Sequence, residues 1–367
     1  MYIFYTLIIA GISLLIFFTD LLKNKREINP IILFIPAALI GVYLLTILFQ
    51  KGSELGTSFF IYYLIWSLPA FVVGVYFSYD QRIKILFKSL DIILIIGSFG
   101  IILNMVGNIF SGDSVQGLSG GTNQSLAYIS AFLFGINLFS NFLNLKVSKY
   151  KFAETKIYSI FAILISPILI LSTIISGGRG GMVLIILYII LFFFLIFFRV
   201  YSIKKNRIIL SILTSILIFI SFAQNEIIIN GFERNFAYIQ EGEIDWKNTS
   251  NRDDLYNETL ILIKEKPLLG HGIFGYLKIS PNPHNIFLEA LLAGGIVYFV
   301  ILSLTLISIF LKYLNILSKN KSYILLSVIM LFPFTFLLFS GTYLVSTEFW
   351  FIIGLIYSYR LKNNKKG

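Results

Sequence analysis

Apolar runs of about 20 residues recur along the whole chain, and they limit the possible folds more than any other feature. A helix of this length crosses the roughly 30 Å hydrocarbon core of a bilayer. Hydrophobic residues make up 57% of the 367 residues and charged residues only 13%, whereas about a quarter of a soluble domain is charged. The sequence therefore predicts an all-α, polytopic membrane protein.

Counting the runs predicts eleven transmembrane helices. Their approximate bounds are 2–18, 31–49, 58–77, 91–110, 125–143, 157–175, 181–198, 208–223, 285–311, 322–340 and 345–359. The first run has neither the basic leading region nor the small-residue exit of a cleaved signal, so it is predicted to remain as a span. No internal repeat or soluble linker is visible in the sequence, which predicts a single integral membrane domain over residues 1–367.

The basic residues determine the predicted orientation. Of the 29 lysines and arginines, 21 fall in alternate loops and the C-terminal tail, and by the positive-inside rule these segments face the cytoplasm. The net charge of +11 would also suit nucleic acid. The cations fall in short clusters between apolar runs, however, so nucleic acid is not expected as a partner. The absence of cysteine excludes disulfides and thiolate metal sites.

Residues 224–284 form one long polar segment, predicted to be a large extracytoplasmic loop. It contains both histidines and nine of the 18 acids. A short helix is predicted inside it, beginning near Arg252 and ending before Pro267, because acids suit its first turn and lysines its last. Since ATP and nucleotide sugars are made in the cytoplasm, a reaction on the opposite side needs an activated donor that has already crossed the membrane.

Two arginines are candidates for binding an anion. Arg179 lies between Gly178 and Gly180 at the start of a predicted span, where flexible backbone N–H groups, a helix N-terminus and a guanidinium favour phosphate. The alternative is a tight interhelical turn whose arginine reaches the lipid headgroups. Arg252 begins the loop helix, another favourable place for an anion. A surface salt bridge with a neighbouring aspartate is the alternative there.

His284 is the strongest candidate for a general base. Pro283 fixes it at the mouth of the ninth predicted span, and histidine titrates near neutral pH; a structural role is the alternative. His271 has glycines around it, so a conformational role suffices, and the spacing of the two histidines does not match a zinc motif. Glu289 is a candidate because acids are rare inside membrane helices, although it could equally pair with an arginine of the loop.

Three features in order resemble the bacterial O-antigen polymerase and O-antigen ligase superfamily, which handles surface polysaccharides on undecaprenyl diphosphate. They are the Arg179-Gly180 pair opening a span, Arg252 before a helix that is followed by Pro-Leu-Leu-Gly-x-Gly, and His284-Asn285 opening the next span. The resemblance in layout covers nearly the whole chain, and its sequence-specific part lies within residues 176–295.

The resemblance implies that Arg179 and Arg252 bind the donor diphosphate and that His284 activates the acceptor hydroxyl. The other candidate residues are Gly178 and Gly180 at the diphosphate, with Glu289, His271 and Asn285 in support. The implied reaction is glycosyl transfer without metal or cofactor, at the extracytoplasmic face of the bacterial inner membrane. The expected partners are lipid-linked oligosaccharides as donor and acceptor, the bilayer, a chain-length regulator and a flippase.

The acceptor distinguishes two forms of this activity. A polymerase extends another lipid-linked repeat unit, whereas a ligase transfers to lipid A core; polymerase is favoured because ligases are limited to bacteria with that core. A transporter or flippase is a separate class, disfavoured because repeat halves and midplane charges are not evident. A dolichol-type glycosyltransferase would carry acids in its first outer loop, where residues 50–57 offer only Glu54.

Overall fold

The computed structural model describes residues 2–24, 37, 54–111, 122–145, 147, 149–222, 226–236, 239–240, 243–244 and 252–359. This part of the chain is all-α, as predicted, and contains twelve helices. They are α1 Tyr2–Asn24, α2 Glu54–Phe77, α3 Asp80–Ser111, α4 Asn123–Phe142, α5 Lys156–Ile175, α6 Arg179–Phe197, α7 Lys205–Phe222, α8 Glu226–Phe236, α9 Arg252–Glu265, α10 Ile286–Lys319, α11 Leu325–Phe339 and α12 Thr347–Ser358. The shorter elements are the 3₁₀ turns Lys151–Glu154, Gly275–Lys278 and Lys321–Ile324, and the antiparallel pair β1 Ile239–Gln240 and β2 Glu243–Ile244.

Seven helical stretches in the described part are long and apolar enough to cross a membrane. They are Glu54–Phe77, Gln81–Gly107, Asn123–Phe142, Lys156–Ile175, Arg179–Phe197, Ile286–Lys319 and Lys321–Phe339. The chain is therefore a multi-pass membrane protein. The second predicted span, 31–49, lies outside the described residues, and each of the other predicted spans coincides with a helix.

The long polar segment contains more regular structure than the sequence predicts. The helix expected from Arg252 is present as α9 and ends before Pro267. The structure adds α8 and the β1–β2 pair ahead of it. α8 buries Ile228, Gly231 and Asn235 at helical spacing and packs against α5. Because the other α8 residues whose burial the structure describes are exposed, the amphipathic period of this helix is easily missed in a polar sequence.

The chain forms two compact units, each assembled from separate stretches of sequence. Unit 1 comprises Met1–Ile83, Ser250–Lys319 and Leu337–Gly367, and unit 2 comprises Lys84–Thr249 and Asn320–Phe336. The single domain expected over residues 1–367 stays a prediction.

In unit 2, α4 is the most buried helix and packs against both α5 and α6. α4 and α6 run parallel, since Gly181 lies against Ala127 near the two helix starts and Tyr188 lies against Gly135 farther along. A Cβ at Gly135 would lie only 2.4 Å from the Tyr188 ring, so glycine is what lets these helices approach closely.

A buried ionic cluster lies where α4 ends and α5 begins. Asp91 on α3 is 1% exposed, and its Oδ1 accepts hydrogen bonds from Tyr158 Oη at 2.7 Å and Ser140 Oγ at 3.2 Å. Lys149 Nζ lies 3.6 Å from the same oxygen and donates to Asn141 Oδ1 at 2.8 Å. Burial lowers the pKa of Lys149, and the nearby carboxylate opposes that change. These five residues are called the Asp91 cluster.

In unit 1, α2 and α12 pack backbone against backbone. A Cβ at Gly74 would lie 2.1 Å from the carbonyl oxygen of Phe351, and one at Gly354 would lie 2.2 Å from that of Phe71. Glycine at these two positions therefore lets α2 and α12 approach closely along the middle of α12.

α10 is broken at Gly294–Gly295, where the backbone leaves the helical conformation. The segment Pro267–Gly272 fills the break. The N–H of His271 donates to the carbonyl of Leu292 at 2.8 Å, and the N–H of Ile296 donates to the carbonyl of Pro267 at 2.8 Å. Because backbone groups freed by a helix break need new partners, these bonds attach the segment firmly to α10.

Candidate functional site

The chain between α5 and α6 forms a tight turn over residues 176–181, which we call the glycine turn. Gly177 has a φ of +63°, a left-handed conformation that glycine adopts without strain. Its N–H donates to the carbonyl of Ile174 at 3.0 Å. Gly178 is the N-cap of α6 and has no side chain that could accept a hydrogen bond from the N–H groups of the first turn. The N-terminus of α6, where Arg179 is the first residue, is therefore not capped by a side chain.

The glycines of this turn lie against α4. A Cβ at Gly178 would lie 2.4 Å from the Cβ of Ala127, and one at Gly180 would lie 1.8 Å from Tyr128 Oη. A Cβ at Gly181 would lie 2.6 Å from the carbonyl oxygen of Ala127. Gly178 and Gly180 are therefore required for packing. Without side chains, they could contact an anion only through their backbone N–H groups.

Arg179 is half-buried at the first position of α6. Because α4 and α6 are parallel and in contact near their starts, two helix N-termini lie side by side. Thr122 caps α4 by accepting the N–H of Ser125 at 3.3 Å, whereas the glycine cap of α6 supplies no such acceptor. The positive ends of two helices and a guanidinium make this end of unit 2 favourable for an anion.

Arg234 was not among the sequence-predicted candidates, yet its side chain lies on the glycine turn. A Cβ at Gly177 would lie 2.7 Å from Arg234 Cδ and 3.4 Å from its Nε. Asn235 donates its Nδ2 hydrogen to the carbonyl of Ile174 at 2.9 Å, the same carbonyl that accepts the N–H of Gly177. Recognising α8 as an amphipathic helix is the signal that would have pointed to this region.

His284 lies just before α10 in a left-handed conformation, with a φ of +55°, which is uncommon for a residue with a Cβ. Its N–H donates to Asn282 Oδ1 at 2.8 Å, and Asn282 Nδ2 donates to the carbonyl of Gly341 at 2.8 Å. The residue is exposed. Unusual backbone conformations held by neighbouring groups are frequent at functional sites, which favours the functional interpretation of His284.

Asn285 caps the start of α10. Its Oδ1 accepts the N–H groups of Phe287 at 3.0 Å and Leu288 at 3.2 Å, while its Nδ2 donates to the carbonyl of Leu338 at 3.5 Å. Asn285 therefore begins the helix directly after His284 and links it to the end of α11.

Glu289 lies one turn into α10 and is 0% exposed. Its Oε1 accepts hydrogen bonds from Tyr276 Oη at 2.6 Å and from Thr342 Oγ1, and the N–H of Tyr343 donates to Oε2 at 3.4 Å. Burial raises the pKa of Tyr276, so its hydroxyl stays protonated and can donate. Among the described residues, these hydroxyls and this backbone N–H are the partners of Glu289, in place of the arginine considered from the sequence.

His271 is buried, and its Nε2 lies 2.8 Å from the carbonyl oxygen of Leu262 on α9. Together with its backbone bond into the break of α10, this contact joins α9 to α10. The observed surroundings of His271 are therefore structural. Within the described part of the chain, no group of three or more His, Asp or Glu side chains is placed to hold a metal ion.

Arg252 is the first residue of α9, and its side chain lies outside the described part of the structure. The structure gathers His284, Asn285 and Glu289 around the start of α10 in unit 1. It gathers the glycine turn and Arg234 at one end of unit 2.

The fold and these residues define a multi-pass membrane protein with a cationic turn at a helix start and an exposed histidine held by a side-chain network. Residues 163–303 match the family model Wzy_C, described as O-Antigen ligase. This match confirms the resemblance to the O-antigen polymerase and ligase superfamily, and it supports a function of the ligase or polymerase type in general. No curated protein and no solved structure matches the chain.

Proposed function

We propose that this protein polymerises oligosaccharide repeat units carried on undecaprenyl diphosphate into O-antigen or capsular polysaccharide. The single observation that carries the proposal is that one family domain, residues 163–303, contains both the glycine turn and His284. The proposed reaction takes place on the extracytoplasmic face of the bacterial inner membrane, where the donor has already been activated and carried across.

The glycine turn is proposed to bind the diphosphate of the donor. Arg179 and the N–H groups at the start of α6 would contact the phosphate oxygens, and Arg252 is a further predicted contact. During transfer, the bond between the anomeric carbon and the diphosphate oxygen breaks, and the electron pair leaves with the diphosphate. Each well-placed donor to such a developing charge contributes about 3–4 kcal/mol to the stability of the transition state.

His284 is proposed to accept the proton of the attacking sugar hydroxyl while the hydroxyl oxygen bonds to the anomeric carbon. Its exposure supports this role, because the acceptor arrives from outside the protein. A single displacement of this kind inverts the anomeric configuration. The scheme uses arginines and backbone N–H groups to balance the charge and requires no metal.

The loop around His284 is proposed to be positioned by its attachment to residues 338–343. Asn282 and Asn285 donate to backbone carbonyls of that segment, and buried Glu289 accepts from Thr342 within it. Hydrogen bonds of this kind fix the backbone that carries the imidazole and so favour a productive approach to the hydroxyl.

Ligation of a lipid-linked polysaccharide to lipid A core is the second candidate function. The description of the matching family as O-Antigen ligase favours it. The same arginines and histidine would serve, since the donor and the bond that breaks are unchanged and only the acceptor differs.

Purified protein in lipid nanodiscs, supplied with an undecaprenyl-diphosphate-linked oligosaccharide, tests these functions. A ladder of extended products on a gel is expected, also in the presence of EDTA. His284→Ala should leave the substrate unextended, while Lys278→Ala, an exposed change in the same loop, should behave like the wild type. Products that form only when lipid A core is added would favour ligase. No product with either acceptor would contradict both functions and leave transport as the alternative.

A further inference from the structure

The backbone position of Arg234 is fixed relative to the glycine turn. α8 contacts the end of α5 so closely that a Cβ at Gly231 would lie 2.7 Å from the carbonyl oxygen of Ile174. That oxygen accepts from both Gly177 N–H and Asn235 Nδ2. One carbonyl therefore holds the turn and the last turn of α8 together.

The side chain of Arg234 packs on glycine and extends toward solvent. Its Cδ and Nε occupy the space next to Gly177, where a Cβ would collide with Cδ at 2.7 Å. The residue is exposed, and among the described residues no carboxylate forms an ion pair with it. Arginine commonly rests its aliphatic part on apolar or backbone surface while its guanidinium stays in water.

A diphosphate presents two phosphoryl groups, and a guanidinium forms its strongest contacts as a two-pronged donor to the oxygens of one group. Arg179 follows Gly177 by two residues along the chain, and Arg234 lies directly on Gly177. The turn therefore presents one arginine from α6 and one from α8.

We propose that Arg234 is a diphosphate-binding residue that acts with Arg179 to distinguish a lipid diphosphate from a lipid monophosphate. The inference rests on the proposed function, because it adds a residue to the same diphosphate site. In this arrangement Arg179 and the start of α6 bind one phosphoryl group, and Arg234 binds the other. The spent carrier, undecaprenyl diphosphate, would then leave more slowly than its monophosphate.

The test measures binding of undecaprenyl diphosphate, undecaprenyl monophosphate and uncharged undecaprenol to the purified full-length protein. Wild type should bind the diphosphate at least about tenfold more tightly than the monophosphate, a difference of about 1.4 kcal/mol. Arg234→Ala should lower the diphosphate affinity by about that factor and change the monophosphate affinity by less than about twofold. Arg234→Lys should lie in between, since a point charge does not reproduce a two-pronged contact.

Two comparisons make the result decisive. Glu233→Ala, an exposed change on the same helix, should bind all three lipids like the wild type, and Arg179→Ala should weaken binding of both phosphorylated lipids. Unchanged diphosphate affinity in Arg234→Ala, or an equal loss for both phosphorylated lipids, would overturn the role of Arg234 alone. Wild-type binding no tighter for the diphosphate than for undecaprenol would overturn the proposed function, and this inference with it.

Discussion

The charged side chains at the two ends of unit 2 have different surroundings. In the Asp91 cluster, Oδ1 of Asp91 accepts hydrogen bonds from the hydroxyls of Tyr158 and Ser140. Lys149 Nζ lies 3.6 Å from the same oxygen, and the Lys149 side chain is only 13% exposed. At the glycine turn, Arg234 is exposed, and no side chain caps the N-terminus of α6. The first end pairs its charges within the protein, although Asp91 Oδ2 is buried with no hydrogen-bond partner among the described residues, while the second end carries an exposed arginine.

This difference suggests a structural role for the Asp91 cluster and a ligand-binding role for the glycine turn. Buried charges need internal partners because leaving them unpaired is strongly unfavourable. An exposed arginine beside a helix start, such as Arg234, can instead be matched by a ligand. Substitutions in the Asp91 cluster should therefore affect stability first, and substitutions at the glycine turn should affect activity first.

The largest expected effect is the loss of activity in Arg179→Ala. Removing one donor to a developing negative charge slows transfer by about 10²- to 10³-fold. The rate of chain extension should fall by this factor while the melting temperature stays within a few degrees of wild type. Arg199→Ala removes an exposed arginine that follows the opposite end of α6, and it should leave the rate unchanged. A melting temperature that falls as far as the rate would remove the distinction between the two ends.

Asp91→Ala should lower the free energy of unfolding by about 3 kcal/mol, because Lys149 loses the carboxylate within its buried surroundings. Thermal denaturation in detergent measures this change. Asp91→Ala combined with Lys149→Met should recover part of the loss, since it removes the unpaired cation as well. Unchanged stability together with lost activity would place the Asp91 cluster in the reaction.

Gly180→Ala should affect both properties, because Gly180 belongs to the glycine turn and also packs on α4. The new Cβ would lie 1.8 Å from Tyr128 Oη, so the helices must shift, at a cost of about 1–3 kcal/mol. Both melting temperature and transfer rate should decrease. Gly100→Ala on α3 is the matched control, since nothing lies within 4 Å of its added Cβ. A fully stable but inactive Gly180→Ala would favour direct contact of this residue with the substrate.

The smallest expected effect is a pH dependence near the Asp91 cluster. Burial, with repulsion from Arg207 and Lys149, lowers the pKa of Lys204 from 10.5 to about 8. The unfolded chain then holds this proton more tightly than the native protein, so stability should increase as pH rises above about 8. Because Lys204 is partly exposed, the gain should be less than about 1 kcal/mol. Denaturation midpoints across this range should lose the increase in Lys204→Met, and an identical increase in that variant would contradict the assignment.

The candidate site was predictable only in part. Arg179, His284 and Asn285 stand out in the sequence because glycine and proline mark the helix starts that they occupy. Arg234 does not stand out, because its importance depends on contact with Gly177, more than fifty residues earlier in the chain. The hydrogen-bond partners of Glu289 could not be predicted from the sequence either, since they come from the loop before α10 and the turn before α12.

The broken helix is another feature that the sequence concealed. A pair of glycines at 294–295 within a long apolar run is compatible with a continuous span. The structure shows a break because the backbone of Pro267–Gly272 supplies hydrogen bonds to the groups that the break exposes. Without that segment, leaving the helical conformation would cost these residues backbone hydrogen bonds with no replacement.

The sequence by itself determined that this chain is a multi-pass membrane protein made of helices, and approximately where each described helix except α8 lies. The physical reason is that hydrocarbon offers no hydrogen bonds, so every apolar run must satisfy its own backbone as a helix. The tertiary structure decided which polar groups meet. Asp91 pairs with Lys149, Arg234 rests on the glycine turn, and Glu289 accepts from Tyr276, because side-chain partners are set by helix packing and not by spacing along the chain.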